Sequence, residues 1–383
     1  MTLVRICHIL ETSGGGSGQV VLALARHGIS QGDHVTVVYA PQRAEPTFVA
    51  ALSALRGLKI HSLSMQRKVG GHDFLDCWRL YCLLRLIGPF DVIHGHSSKA
   101  GALARIAGVF LPGTVIYTPH GFFSMMPDSP SVYGMIERLL SYIPARIVAV
   151  SLGEFRHAEE LGISPRKLAL IPNGASPRFI LSREQARRNL GIAENKILFG
   201  FVGRMEPQKN PLRAIAAFAK VAAVDSEVHL VMVGDGRLRE EAMAERSRLK
   251  MEQHIDLLGY YDAKAIIPGL DCLICSSEFE ALPILFLESL HAGVPVVTVR
   301  VGGTEETVIE GVTGFVARSP TEWALADAIG RYIACTPDQR RSMAENAERH
   351  ATLFTAEIMS EKYRRLYKGH ATNAQEVLAK VSY

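Results

Sequence analysis

Two cations in one short segment, Arg204 and Lys209, and two carboxylates in another, Glu280 and Glu288, are the side chains best suited to chemistry on a phosphorylated ligand. Arg204 and Lys209 lie in residues 203–211, which leave an apolar run predicted as a strand (196–202) and enter a helix with Asn210 as N-cap and Pro211 at its first position. A departing diphosphate develops negative charge that a metal or fixed cations must neutralise. Arg supplies a bidentate fork and Lys a point charge. Two solvated surface cations would show the same spacing, but these emerge from one strand-to-helix loop. Glu280 and Glu288 fall in residues 276–288, after a second predicted strand at 272–276. Pro283 suits a first helical turn, leaving the amides of Ile284 and Leu285 free for phosphate oxygens. Glu288 is set among Ile284, Leu285, Phe286 and Leu287, where a carboxylate needs a partner; vicinal sugar hydroxyls are suitable ones. A helix-terminal acid plus an internal salt bridge is the structural alternative.

The first half offers weaker candidates. Gly14-Gly15-Gly16-Ser17-Gly18 follows a predicted strand at 4–9 and opens a helix beginning near Gln19, so its amides can face an anion. It fails as a dinucleotide fingerprint, because Gln19 and Val21 occupy the positions where a third glycine would fall, and no acid ends the strand at 34–39. His120 ends a strand and can donate to a sugar hydroxyl, act as acid or base, or simply bond nearby backbone. His94 and His96 raise a metal site, but no carboxylate or Cys follows at ligand spacing, and no D-x-D element is available for Mg²⁺. Cys272 and Cys275 spell C-x-x-C inside an apolar run and read as core.

These loops need elements to hold them. Runs at 4–9, 34–39, 59–61, 91–94, 115–118, 147–150 and 168–171 read as strands separated by helices. After residues 172–174 the pattern restarts at 196–202, 229–234, 255–258, 272–276 and 294–298. Such alternation predicts two α/β units with doubly wound parallel sheets. The boundaries are 1–172 and 173–354, with a last helix near 355–370 crossing back onto the first unit through Ile358, Tyr363, Leu366 and Tyr367. Ligands of such sheets sit beyond the carboxyl ends of the strands, so two facing units imply a cleft lined by these loops. The length of 383 residues suits two domains; 42 Lys+Arg against 38 Asp+Glu excludes a general nucleic-acid binder. Six scattered cysteines fit a reducing compartment, and no run approaches the ~20 apolar residues of a spanning helix. The expected location is cytoplasmic, with peripheral contact at the inner membrane face open. A helix carrying Trp78, Arg79, Tyr81 and Arg85 can touch lipid, although Leu80, Leu83, Leu84 and Ile87 form a simpler core stripe.

Taken together, the chain resembles glycosyltransferase family four, the retaining GT-B enzymes, over nearly its full length. Gly15 and Gly16 match the family's glycine loop, His120 its histidine near the donor sugar, and Arg204 with Lys209 its diphosphate-binding pair. Glu280 and Glu288 match its E-x7-E element, in which the first Glu meets the donor sugar and the second the ribose. Residues 293–297, 302–305, Gly311 and Gly314 continue the pattern. Two departures stand out: Ala281 replaces a usual Gly, and Ser176 a common Asp. Residues 94–101 and 118–122 look most like the branch building bacterial exopolysaccharides and capsules. The resemblance implies retaining, metal-independent transfer of a hexosyl unit from a UDP-sugar to a lipid-linked or saccharide acceptor, with no cofactor. Two rivals share the architecture: a sugar-nucleotide 2-epimerase, which needs no acceptor, and a non-catalytic two-domain sugar-binding protein, which would need an export signal.

Overall fold

The computed structural model describes residues 3–66 and 70–370. It divides into two compact units, Met1–Gly174 with Ala356–Tyr383, and Ala175–Thr355. The division falls at Gly174/Ala175 and Thr355/Ala356, against expected breaks after 172 and 354.

The first unit is a seven-stranded sheet built from β1 (Arg5–Leu10), β2 (His34–Tyr39), β3 (Lys59–Ser62), β4 (Val92–His96), β5 (Thr114–Thr118), β6 (Arg146–Ala149) and β7 (Leu168–Leu170). Its order is β3-β2-β1-β4-β5-β6-β7, with every pair parallel. Strand order reverses between β1 and β4, which makes the loops after those strands the expected ligand position. The central strands are buried on both faces, which is why β4 reads as a continuous run rather than an alternation. The last helix, Ala356–Tyr367, packs on helix Gly16–Ser30 of this unit. It buries Met359, Tyr363 and Leu366, and Arg364 pairs with the fully buried Asp33 at 2.8 Å. Ile358, read from the sequence as a docking residue, instead faces outward, and Met359 takes its place one position along. Helix His72–Ile87 does bury Leu80 and Leu84 as its core stripe, yet leaves Phe74, Leu75, Trp78 and Leu86 exposed.

The second unit is a six-stranded parallel sheet of β8 (Ile197–Val202), β9 (Val228–Val233), β10 (Ile255–Gly259), β11 (Cys272–Cys275), β12 (Val296–Thr298) and β13 (Gly314–Val316). Its order, β10-β9-β8-β11-β12-β13, reverses between β8 and β11. Those are the strands whose exits carry Arg204, Lys209, Glu280 and Glu288. The core gathers Phe199, Phe218 and Tyr332, whose rings meet edge-on at 5.8 and 5.7 Å. Cys272 and Cys275 are buried in β11, and burial pushes both thiols up, as core residues rather than reactive ones. β12 starts two residues later than the apolar run suggests, because Pro295 has no amide to donate and only its carbonyl joins the ladder, accepting from Leu273. No helix among the described residues is long and apolar enough to cross a membrane.

Candidate functional site

In the second unit the loops leaving β8 and β11 are stitched to one another. The helix Pro211–Ala222 starts as expected, with the Asn210 side chain accepting from the Arg213 amide at 3.0 Å and Pro211 at its first position. Ser276 Oγ donates to the carbonyls of Lys209 and Asn210, the Glu278 amide donates to Gln208 O at 2.7 Å, and Gln208 Nε2 donates to Phe279 O. Asn210 and Arg213 both reach the Glu278 carboxylate. The frame brings Lys209 Nζ to 2.6 Å from Glu280 Oε1. Burial would lower the Lys209 ammonium, but the charge of Glu280 and its hydrogen bond outweigh this and hold it above its ordinary value. Arg204 lies on the same loop, exposed, and its side chain has no ion pair among the described residues. The β8 exit is also zipped to the β9 exit, through Gly203 N to Val233 O and Met205 N to Asp235 O, both at 2.9 Å. Gly234 permits this: its φ is 136°, and a Cβ there would stand 1.9 Å from Gly203 O.

Pro283 is not within the first helical turn but caps it. The helix runs Ile284–His291, so Ile284 and Leu285 hold its first two positions, where amides have no intrahelical acceptor. Glu288 lies one turn further in, 6% exposed, and its carboxylate has no hydrogen-bond partner among the described residues. Burial pushes it up to about 7, opposed by Lys264 and reinforced by Asp262. Gly302 and Gly303 close this region: the Gly302 amide donates to Glu280 O at 3.1 Å, and a Cβ on Gly302 would come within 2.3 Å of that oxygen. Ala281 has no positive φ, so the Cβ in place of the usual glycine costs no backbone strain.

In the first unit the glycine loop caps helix Gly16–Ser30, which starts three residues before Gln19 because Gly15, at φ 75°, turns the chain into it and Gly16 is already helical. The β1–β4 register sets Leu10 beside His96 and His8 beside His94, so this loop adjoins a cluster of histidines. His8 Nδ1 lies 3.0 Å from His96 Nε2, and His96 Nδ1 lies 3.0 Å from His120 Nε2. His94 is held at 2.8 Å by Tyr367 OH and at 2.9 Å by Thr118 Oγ1. Burial drives His8 down to about 3 and His120 to about 4, and takes His94 and His96 well below the ordinary imidazole value, so all four are neutral near pH 7. The loop after β5 is fixed by Glu154, whose two oxygens each accept a backbone amide at 2.6 Å, from Gly121 and Val150.

Two positions escaped the sequence reading. Glu154 carries one faint signal, its place three residues after the helix-capping Ser151. His8 carries none, because only strand pairing brings it to His96.

Two family models match the chain: "Glycosyltransferase Family 4" over residues 14–179 and "Glycosyl transferases group 1" over residues 182–350. The UDP-Gal:alpha-D-GlcNAc-diphosphoundecaprenol alpha-1,3-galactosyltransferase of Escherichia coli is 31% identical over 262 residues, 64% of this chain and 66% of that protein. The D-inositol 3-phosphate glycosyltransferase of Geodermatophilus obscurus is 28% identical over 300 residues, 70% of this chain and 64% of that one. The chain thus spans slightly under two thirds of the length of these relatives. Among solved structures, Anabaena Alr3699/HepE in complex with UDP superposes with a TM-score of 0.79 at 20% identity, covering 95% of this chain and 100% of that one. At that identity the likeness is one of fold.

Proposed function

This chain belongs to glycosyltransferase family 4 and has the GT-B fold, and from that premise we propose that it moves a hexosyl unit from a UDP-sugar to a lipid-diphosphate-linked acceptor. The observation that carries the reading is Glu288, a buried carboxylate with no hydrogen-bond partner among the described residues, one turn from the amides of Ile284 and Leu285 at the helix start, in the helix whose preceding loop is stitched to that of Arg204 and Lys209. A buried acid near a helix start at the switch point of a parallel sheet suits a ribose, and adjacent amides with two cations suit the diphosphate beside it. The Anabaena protein is in complex with UDP and the Escherichia coli enzyme acts on a GlcNAc-diphosphoundecaprenol acceptor, which supports both choices.

Arg204, Lys209 and the Ile284 and Leu285 amides stabilise the departing diphosphate, Glu288 holds the ribose, and Glu280 orients the sugar. Within the first unit, Gly15 and Gly16 offer backbone amides to an anion and His120 donates to a sugar hydroxyl. The bond between the anomeric carbon and the phosphate oxygen breaks while the acceptor oxygen bonds to the same face of that carbon. The acceptor's proton passes to the leaving phosphate, giving retention without a metal. The exposed Phe74, Leu75, Trp78 and Leu86 on helix His72–Ile87, flanked by Arg79 and Arg85, favour peripheral contact with an anionic membrane face in the cytoplasm, where such acceptors are anchored.

The decisive experiment screens UDP-, GDP- and ADP-hexoses by thermal shift, then follows transfer to a GlcNAc-diphospho-polyprenol with EDTA present. A shift with UDP-sugars, and a product of retained anomeric configuration whose formation Lys209→Ala and Glu288→Ala abolish, is the expected result. No shift with any nucleotide sugar would refute the donor site. Loss of transfer in EDTA would refute the metal-free step.

A further inference from the structure

We infer that His96, anchored by His8, is a positioning residue that fixes the tautomer of His120, so that His120 offers an Nδ1–H to a carbohydrate hydroxyl. The inference rests on the reading of His120 as a ligand-facing residue. His8, His96 and His120 form one hydrogen-bonded series, His8 Nδ1 to His96 Nε2 and His96 Nδ1 to His120 Nε2, each 3.0 Å long. The His96 and His120 rings are nearly parallel, 16° apart at 5.3 Å. A neutral imidazole has one donor and one acceptor, so the whole series must run in one direction.

Its direction follows from its inner end. His8 Nε2 is buried and has no partner among the described residues. A buried N–H without an acceptor is costlier than a buried lone pair without a donor, as the rarity of orphaned amide donors relative to under-satisfied carbonyls indicates. His8 therefore keeps Nε2 bare and carries its proton on Nδ1, donating to His96 Nε2. His96 then carries its proton on Nδ1 and donates to His120 Nε2. His120 is left protonated on Nδ1, which bonds to none of the described residues. The reverse direction would bury an orphaned N–H on His8 and turn the free edge of His120 into an acceptor.

The backbone leaves the ring little freedom to escape this arrangement. His120 has φ 54° and Gly121 φ 101°, and Glu154 pins the Gly121 amide at 2.6 Å. His94 stays outside the series because Tyr367 and Thr118 occupy both its nitrogens, with Tyr363 in turn 3.1 Å from Thr118 Oγ1. One ligand atom each from His8, His94 and His96 lies within 4.8 Å of the others. A metal at that point would need a lone pair from each and would break the bonds these rings already make, so the hydrogen-bonded series is the better account.

The test is long-range nitrogen–proton NMR on the full chain labelled in histidine, at pH 7.5 and with EDTA, reading the tautomers of His96 and His120. Both should be Nδ1–H. In His96→Leu, His120 should relax toward the Nε2–H form that free imidazoles favour, and kcat for glycosyl transfer should fall about threefold to tenfold with the donor KM little changed, the size of one lost hydrogen bond. His96→Asn keeps a donor close to the position of Nδ1 and should restore both the tautomer and most of kcat. An Nε2–H His120 in the unsubstituted protein, an unaltered tautomer in His96→Leu, or one equivalent of zinc bound by these histidines before EDTA treatment would overturn the proposal. If the tautomers respond as described but no sugar is transferred, the positioning stands and the transferase reading fails.

Discussion

Replacing Glu288 by Gln should make the unliganded protein more stable at alkaline pH while removing tight donor binding. The folded chain raises this carboxyl from 4.5 to about 7, chiefly by burial. Between those values the folded state binds the proton that the unfolded chain has released, so its contribution to stability is full below pH 4.5 and is lost as pH rises through 7. By pH 8.5 the ionised carboxylate costs the folded state about 3 kcal/mol, at about 1.4 kcal/mol per tenfold. Gln has the same shape and no charge to bury. At pH 5 the variant should exceed the unsubstituted protein by less than about 1 kcal/mol, and at pH 8.5 by about 3 kcal/mol, roughly 6–12 °C in the melting of the second unit. Scanning calorimetry at the two pH values reads the stability, and titration calorimetry with a UDP-sugar reads a loss of roughly tenfold to a hundredfold in affinity from the missing charged hydrogen bonds. Near pH 7 the unsubstituted protein should also release protons on binding, as ligand hydroxyls draw the carboxyl back down. Equal stability changes at pH 5 and 8.5 would refute the claim that this carboxylate is buried without a partner. Unimpaired donor binding would refute its role.

Gly302→Ala places a Cβ 2.3 Å from Glu280 O and 2.4 Å from Ala281 O, so the Glu280 loop must shift; donor affinity should fall at least about tenfold, measured by calorimetry, with only a moderate loss of melting temperature. Acid should unfold the first unit before the second: its neutral histidines, with His120 at about 4 and His8 at about 3, add stability above pH 6.5 that is lost as pH falls through those values, and calorimetry between pH 7 and 4 should show that transition moving. Arg364→Met strands the Asp33 carboxylate, which otherwise accepts from Arg364 at 2.8 Å and from the Val4 amide at 3.1 Å, and should cost on the order of 3 kcal/mol in denaturant unfolding.

The sheet was legible wherever apolar runs were long and bounded by turns. β2 was read to the residue, and the strands of both sheet centres within about two, because strands buried on both faces leave uninterrupted hydrophobic blocks. β13 was missed because three residues, Gly314–Val316, carry too little periodicity beside glycine turns. Start positions failed where backbone geometry rather than composition decides them, as at Gly15, whose positive φ begins the helix three residues before Gln19. Of the candidate site, Arg204, Lys209 and Glu280 could be placed because each lies in the loop that follows a strand, and Glu288 because it lies in the helix that such a loop enters. What sequence could not supply is who meets whom. Lys209 and Glu280, assigned to separate ligand groups, bond one another in the free chain, and His8 reaches His96 only through the parallel register of β1 and β4.

Lys209 and Glu288 are two opposite responses to burial within one loop system. Burial disfavours both charges, but Lys209 has Glu280 at 2.6 Å and stays a cation, whereas Glu288 has no hydrogen-bond partner among the described residues and holds its proton up to about neutral pH. Lys209 therefore stays charged, and Glu288, at about 7, exchanges its proton near neutral pH, where a hydrogen-bonding ligand would draw it toward the ionised form. The charge carried by these loops therefore depends as much on which group has a close partner as on where the cations stand.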